Sequence, residues 1–362
     1  MRTGILFVSR KGKGKGGMQQ LSTDLWQMIC RLYPNNARAV VSTGVLSHIL
    51  LLPKVLWFAR TTQHVHLADA ALSPLAWILS KIYPHLQISV TACGLDLTYD
   101  RRLYQAILRH TINAYDVIVC ISNHTAKEAM SRVSDPTKVV MIPCGIWKVD
   151  DLSTAGTGPV RLITVGRLIR RKGVAWFIES VLPLLLIKNP DLIYTVVGDG
   201  PDVRLVQGIV KRLELESSVE LLSNVSEKEK NDLYRKSHLF VMPNIPVQGD
   251  TEGFGIVCIE ASARGIPVVA ARIQGVQDAV RKGKTGTFFE REDALSAAKA
   301  IQNIIEDPFD RNEVARYTRA KYSWDVLQEQ YARHVFNLSH RHSDVGLRRS
   351  QRGSRETAAV AS

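Results

Sequence analysis

Apolar positions along the chain fall into short, β-branched runs separated by longer stretches of helical period. "GILFVS", "ARAVVS", "HVHLA", "QISVTA", "VIVCIS" and "KVVMIP" recur through its first part. Between them lie stretches such as "MQQLSTDLWQMICRLY" and "LSPLAWILSKIY", whose apolar residues return every three or four positions. The short runs predict strands and the longer ones amphipathic helices. "WKVDDLSTAGTGP", a polar Gly/Ser/Thr stretch with a proline, reads as a linker. The alternation then restarts with "RLITVG", "LIYTVVG", "VELLS", "HLFVMP", "IPVVAA" and "GTFFE". Two βα series in tandem predict an α/β protein of two doubly wound parallel-sheet domains, residues 1–150 and 151–324. Residues 340–362 are polar, basic and aperiodic, and read as a disordered tail.

Composition agrees with a globular chain. Its 362 residues are 45% apolar and 22% charged, enough for two large cores. No stretch reaches the roughly 18 uncharged apolar residues of a membrane span; the nearest, "AVVSTGVLSHILLLP", ends at Lys54. A strand begins almost at once, so no cleavable signal is expected. The five cysteines form no C-x-x-C pair and read as buried thiols of a reducing cytoplasm. Charge is uneven. Residues 1–150 hold 17 basic against 8 acidic side chains, a net of +9, whereas residues 151–339 hold 25 against 24. An anionic substrate, an anionic membrane face or nucleic acid would each account for the basic half.

After the first strand, "GKGKGG" places Gly12, Gly14 and Gly17 as G-x-G-x-x-G. A dinucleotide site needs an acidic residue about 20 positions on. No Asp or Glu occurs between Asp24 and Asp69, which argues against NAD. Met18 follows Gly17 where a P-loop needs lysine. What remains is either a flexible basic turn or a strand–loop–helix unit whose backbone N–H groups and helix N-terminus can hold an anion supplied from elsewhere. Lys13 and Lys15 read as solvated or as facing an acidic acceptor.

The second half adds cations and carboxylates. "VGRLIRRKG" sets Arg167 and Lys172 five apart after a strand, at the sheet edge where open α/β folds bind ligands. Two fixed cations there suit a diphosphate; a solvated basic turn is the plainer alternative, and Arg170 and Arg171 read that way. In "GDTEGFGIVCIEASARG", Glu252 and Glu260 flank Gly253-Phe254-Gly255, with a helix starting at Ile256. Carboxylates beside an anion site suggest a ligand that also offers hydroxyls, as sugars and riboses do. His64 and His66 alternate on one strand and read as packed or solvated.

E-G-F-G-x-x-x-x-E, G-R-L-x-x-x-K-G and the glycine loop after the first strand stand in the order and spacing of the retaining glycosyltransferases of family 4. The chain resembles that family from about residue 3 to 335. The resemblance implies the GT-B fold, two Rossmann-like domains facing across a cleft. "SWDVLQEQYARHV" resembles the family's closing helix, here about 325–339, which returns to the N-terminal domain. The resemblance also implies roles. Gly16 and Gly17 would meet the donor diphosphate, and Arg167 and Lys172 would hold charge developing on the leaving phosphate. Glu252 would grip the transferred sugar and Glu260 the ribose, with backbone N–H groups of Phe254, Gly255 and Ile256 beside them. "TACGLDLTYD" places Cys93, Gly94 and Asp96 on the acceptor side, with Cys93 where the family commonly has histidine. Cys144 stands for a usual asparagine, and Gln274, Gly275 and Asp278 replace the usual G-G-x-x-E.

The co-substrate implied is a nucleoside-diphosphate sugar, with no cofactor and no essential metal. The acceptor implied is a lipid-linked or envelope glycan, with the enzyme cytoplasmic or peripheral on the inner membrane face. "VLSHILLLPKVLWFAR" reads as a core helix beside the cleft or as a lipid contact. A nucleotide-sugar 2-epimerase on the same fold, and a basic membrane-surface module without catalysis, are the alternatives. Nucleic acid is not expected, since no aromatics cluster with the basic residues.

Overall fold

The computed structural model describes residues 4–10, 16–42, 45–147, 149, 152–154, 156 and 158–337. Gly12, Lys13, Gly14 and Lys15, several residues between 148 and 157, and the tail 340–362 lie outside them, as do the side chains of 45–50.

Each of the twelve apolar runs forms a strand. The first unit runs β1 (Ile5–Arg10), α1 (Gly17–Leu32), β2 (Ala37–Ser42), α2 (Val45–Ala59), β3 (His64–Leu67), α3 (Ser73–Ile82), β4 (Gln87–Ala92), α4 (Leu95–Thr98), α5 (Arg102–Thr111), β5 (Val117–Cys120), α6 (Asn123–Met130) and β6 (Val139–Met141). The second begins with β7 (Arg161–Val165), α7 (Val174–Trp176) and α8 (Leu182–Leu186), the two helices joined by a π-helical turn. It continues β8 (Ile193–Val197), α9 (Val203–Arg212), β9 (Val219–Leu222), α10 (Glu227–Lys236), β10 (Leu239–Met242), α11 (Ile256–Ser262), β11 (Val268–Ala271), α12 (Val276–Ala279), β12 (Gly286–Phe289) and α13 (Ala294–Glu306). Helices α14 (Arg311–Tyr322) and α15 (Trp324–His334) close the described chain.

The strands make two six-stranded sheets, ordered β2-β1-β3-β4-β5-β6 and β12-β11-β10-β7-β8-β9. Every strand pair is parallel. Parallel sheets need cover on both faces, which explains the near-continuous apolar runs. In β1, Ile5 and Phe7 join one core while Leu6 and Val8 join another, the period-two alternation of a strand. The core under Leu6 and Val8 is closed by α2, α3, α5 and α6.

The chain passes between the sheets twice, side by side. Ile146 N–H donates to the Tyr322 carbonyl (2.8 Å) and Trp324 N–H to that of Ile146 (3.0 Å). Helix α15 then packs on α1, with Trp324, Leu327 and Tyr331 buried. Beneath it lies a polar string. Ser89 Oγ bonds both His64 Nε2 (2.6 Å) and His66 Nδ1 (2.7 Å), and Thr91 Oγ1 bonds His66 Nε2 (3.0 Å) and Tyr331 Oη (3.2 Å). The two histidines pack inside the fold, the first of the two readings above.

Candidate active site

The second sheet presents its strand ends, through the loops after β7 and β10, to the first unit. After β7, the chain turns through Arg167 to Lys172; after β10 it runs through Asn244 to Gly255, where α11 begins. Glu252 is the centre of this region. Its Oε2 takes hydrogen bonds from Lys172 Nζ (2.6 Å), Asn244 Nδ2 (3.1 Å) and Arg171 Nη1. Its own N–H donates to Gln274 Oε1 (2.7 Å). Among the described residues, Oε1 has no hydrogen-bond donor. Burial alone would raise this carboxyl, but Lys172 and Arg171 outweigh it and hold its pKa near 2. Glu252 is therefore a fixed anion with one oxygen committed and the other open.

Arg171 corrects the sequence reading. It is not a solvated turn residue: its side chain is 18% exposed and also binds Asp250 Oδ1 through Nε (2.8 Å). The Ile245 N–H donates to the Arg171 carbonyl (3.0 Å), so the loop after β10 packs against this turn and draws Arg171 inward. Arg170 and Arg167 are exposed. Among the described residues the Arg167 guanidinium has no ion-pair partner. Asn244, fully buried beside Glu252, was not singled out by sequence reasoning. A polar residue between an apolar strand and Ile245 was the available signal.

Glu260 lies one turn inside α11, half-buried, with Oε2 3.4 Å from Tyr234 Oη. Gly255 caps that helix at φ +89°, and Phe254 turns its ring into the core against Tyr322, leaving only backbone toward a ligand. Across the cleft, Gly16 and Gly17 begin α1. A Cβ on Gly17 would lie 3.8 Å from Ile256 Cδ1, so the glycine loop's helix and α11 meet start to start.

Of the acceptor-side residues, Cys93 and Gly94 lie against Gly253 of the second unit, whereas Asp96 is turned inward. Asp96 is buried, and its carboxylate accepts the N–H groups of Ala70 (2.8 Å) and Cys93 (2.9 Å). Burial, with Asp69 nearby, raises its pKa to about 6. It anchors two strand ends and does not reach toward an acceptor, because the backbone has claimed its oxygens. Cys93 is also buried, and burial raises its thiol well above the ordinary range. Its carbonyl faces Gly253: a Cβ on Gly253 would stand 2.0 Å from that oxygen. Gly94, at φ +108°, approaches the same glycine: a Cβ there would stand 3.1 Å from Gly253 Cα. The two units thus touch backbone to backbone beside Glu252, at a point only glycine permits. Among the described residues no group of three His, Cys, Asp or Glu side chains stands ready to hold a metal ion.

The family model for glycosyl transferases group 1 matches residues 149–321. The gpi3 subunit of phosphatidylinositol N-acetylglucosaminyltransferase from Schizosaccharomyces pombe is 25% identical over 233 residues, 62% of this chain and 49% of that one. The GDP-mannose-dependent alpha-(1-6)-phosphatidylinositol monomannoside mannosyltransferase of Mycolicibacterium smegmatis is 29% identical over 216 residues, 56% of each chain. The chain spans about half the length of these curated relatives. Among solved structures, sucrose-phosphate synthase from Thermosynechococcus elongatus superimposes with TM-score 0.73 at 19% identity, covering 92% of this chain and 98% of that one. Anabaena HepE in complex with UDP-glucose gives 0.74 at 18%, covering 92% and 99%. The chain has the GT-B fold of these glycosyltransferases, and its second unit matches the glycosyl transferases group 1.

Proposed function

We propose that the protein is a retaining glycosyltransferase of family 4. It would move a sugar from a nucleoside-diphosphate sugar to a lipid-linked or envelope glycan acceptor on the cytoplasmic side. The observation that carries this is Glu252: a buried anion whose Oε2 organises Lys172, Arg171 and Asn244 while Oε1 takes no donor among the described residues. A sugar hydroxyl is a natural donor to that oxygen. Lys172 and Arg167, which has no ion-pair partner among the described residues, supply positive charge where a leaving diphosphate forms. Glu260 stands farther along α11 for the ribose hydroxyls, and the N–H groups of Gly16, Gly17, Gly255 and Ile256 surround the phosphates.

In the transfer, the bond from the anomeric carbon to the β-phosphate oxygen breaks. The acceptor oxygen bonds that carbon from the same face, so the anomeric configuration is kept. The acceptor proton passes to the departing phosphate oxygen. Fixed cations are worth most where charge develops in the transition state. The donor's charge meets arginine and lysine, so the reaction proceeds without a resident metal, and a chelator leaves turnover unchanged.

Melting-point shifts with UDP-, GDP- and ADP-sugars identify the donor, since a ligand of the folded state raises the melting temperature. Glu260→Ala then weakens binding of that donor by about 2–4 kcal/mol, from lost charged hydrogen bonds. Unchanged affinity for the free nucleoside diphosphate refutes the ribose role. Release of an epimerised sugar from donor alone refutes transfer.

A further inference from the structure

Helices α2, α3 and α5 form one continuous layer over the first sheet. Tyr83 Oη, just past α3, donates to the Leu56 carbonyl of α2 (3.1 Å), and Thr111 Oγ1 of α5 to Ser73 Oγ of α3 (2.8 Å). The rings of Trp77 and His110 stand 5.8 Å apart across α3 and α5. The inner side of the layer, with Val55, Leu79 and Leu108, closes a core.

Its outer side is unusual in two respects. Large apolar side chains are left out: Leu103 is 74% exposed, Trp57 65%, Ile107 42% and Trp77 38%. None of them is needed by the core beneath. The three helices also contain no Asp or Glu at all. They and their flanks carry Lys54, Arg60, Lys81, Arg102 and Arg109, all exposed. Among the described residues none of these five forms an ion pair. Arg60 lies over the Trp57 ring at 5.2 Å, and an open groove of about 510 Å³ runs between Trp57, Phe58 and Val41 of β2. On the opposite face, α15 differs in holding the exposed Asp325 and Glu329.

We infer that the outer face of the α2–α3–α5 layer docks on a bilayer containing anionic phospholipid. Unpaired cations are drawn to the anionic headgroups. Tryptophan, with an apolar body and a polar N–H, settles at the boundary between headgroup and acyl chain. Three helices that set exposed apolar residues among cations and hold no carboxylate of their own match that boundary, where a water-facing helix layer would mix both signs. All three helices start at the strand ends that face the cleft, and Thr98 of α4, just before α5, meets Thr251 of the second unit at 3.2 Å. Docking on this face therefore sets the cleft mouth beside the lipid headgroups. The inference builds on the reading of a lipid-linked acceptor, and its test does not depend on that reading.

The full chain is sedimented with vesicles of phosphatidylcholine alone or of an equal mixture with phosphatidylglycerol, at low and high salt. Binding to the mixture only, weakened by salt, is expected. Lys54→Glu/Arg60→Glu/Arg109→Glu weakens it by at least about fivefold per cation, and Trp57→Ala/Leu103→Ala weakens it at constant charge. Lys188→Glu/Lys211→Glu/Lys299→Glu, an equal charge change on the second unit, leaves binding intact. Equal binding to pure phosphatidylcholine, or no binding, overturns the inference. So does an equal loss in the second-unit variant, or a loss seen only when Arg348, Arg349, Arg352 and Arg355 of the tail are replaced. A dimer in lipid-free solution that Trp57→Ala/Leu103→Ala dissolves assigns the face to a second copy, and RNA competing off the vesicles assigns it to nucleic acid; either result overturns the inference. The donor-induced rise in melting temperature persists in the face variants. Its absence in every form of the protein counts against the donor reading and leaves the docking face standing.

Discussion

The carboxylate of Asp278, on α12 of the second unit, caps the start of α6 in the first: its oxygens accept the Asn123 backbone N–H (2.8 Å) and side-chain amide. Tyr322 Oη holds the Asp278 carbonyl (2.6 Å), so this clamp is tied to the second crossing of the chain. A carboxylate at a helix N-terminus is a favourable arrangement, here made between domains. Asp278→Ala should loosen the closed arrangement by about 1 kcal/mol. The expected result is about fivefold weaker donor affinity with an unchanged melting temperature, and a larger radius of gyration in small-angle scattering. Unchanged dimensions and affinity would show that Asp278 does not hold the units together.

Gly253 and Gly17 both face the opposite unit, and they separate two effects. A Cβ on Gly253 collides with the Cys93 carbonyl at 2.0 Å, whereas one on Gly17 finds Ile256 at an ordinary 3.8 Å. Gly253→Ala should therefore force the units apart and lower transfer even where each unit folds normally. Gly17→Ala should fold with a melting temperature unchanged or slightly raised, since alanine costs less backbone entropy. Its donor affinity should still fall, because the methyl group obstructs a phosphate. Normal donor affinity in Gly17→Ala means the glycine loop is only a turn.

Removing Lys172 differs from removing Glu252. Lys172→Met takes away positive charge at the leaving group and should cost about 10²–10³ in turnover. Glu252→Gln keeps the shape but frees Lys172 and Arg171 from their shared anion. Donor binding should then hold or strengthen while turnover falls, because the sugar loses its acceptor oxygen. Asn244→Ala should fall between them, with Glu252 held by two donors in place of three. A Glu252→Gln enzyme with normal turnover would remove Glu252 from the site. Steady-state kinetics with donor titration distinguishes these outcomes.

The buried histidines set an acid limit. Burial lowers His64 to about 4 and His66 to about 3. Both folded values lie below the ordinary ~6.5, so the unfolded chain binds more protons in the interval between. Stability is complete above about pH 6.5 and declines as pH falls toward 4, by about 1.4 kcal/mol per pH unit for each histidine. Urea unfolding at pH 7, 6 and 5 should show this, and His64→Gln should flatten the slope. An identical slope in the variant would assign the acid sensitivity to other groups.

Local pattern was sufficient for the twelve strands, because strands buried on both faces in parallel sheets read as short apolar runs whatever their order. It was also sufficient for the glycines around Phe254, since φ +89° at Gly255 and the backbone contact at Gly253 demand that residue type in sequence. Strand order, with β2 at an edge and β7 in the interior, came only with the packed sheets. Pairing was equally invisible. Arg171 looked like its exposed neighbour Arg170 until the loop after β10 folded over it and supplied Asp250 and Glu252. Asp96 looked available until the amides of Ala70 and Cys93 took its oxygens. The outer layer shows the same division: the absence of acid from α2, α3 and α5 is written in the chain, but only packing sets them side by side. Sequence spacing determines what one element presents. Which charge meets which, and which face is left open, is decided by contacts between residues far apart in the chain, whose geometry exists only after the core has closed.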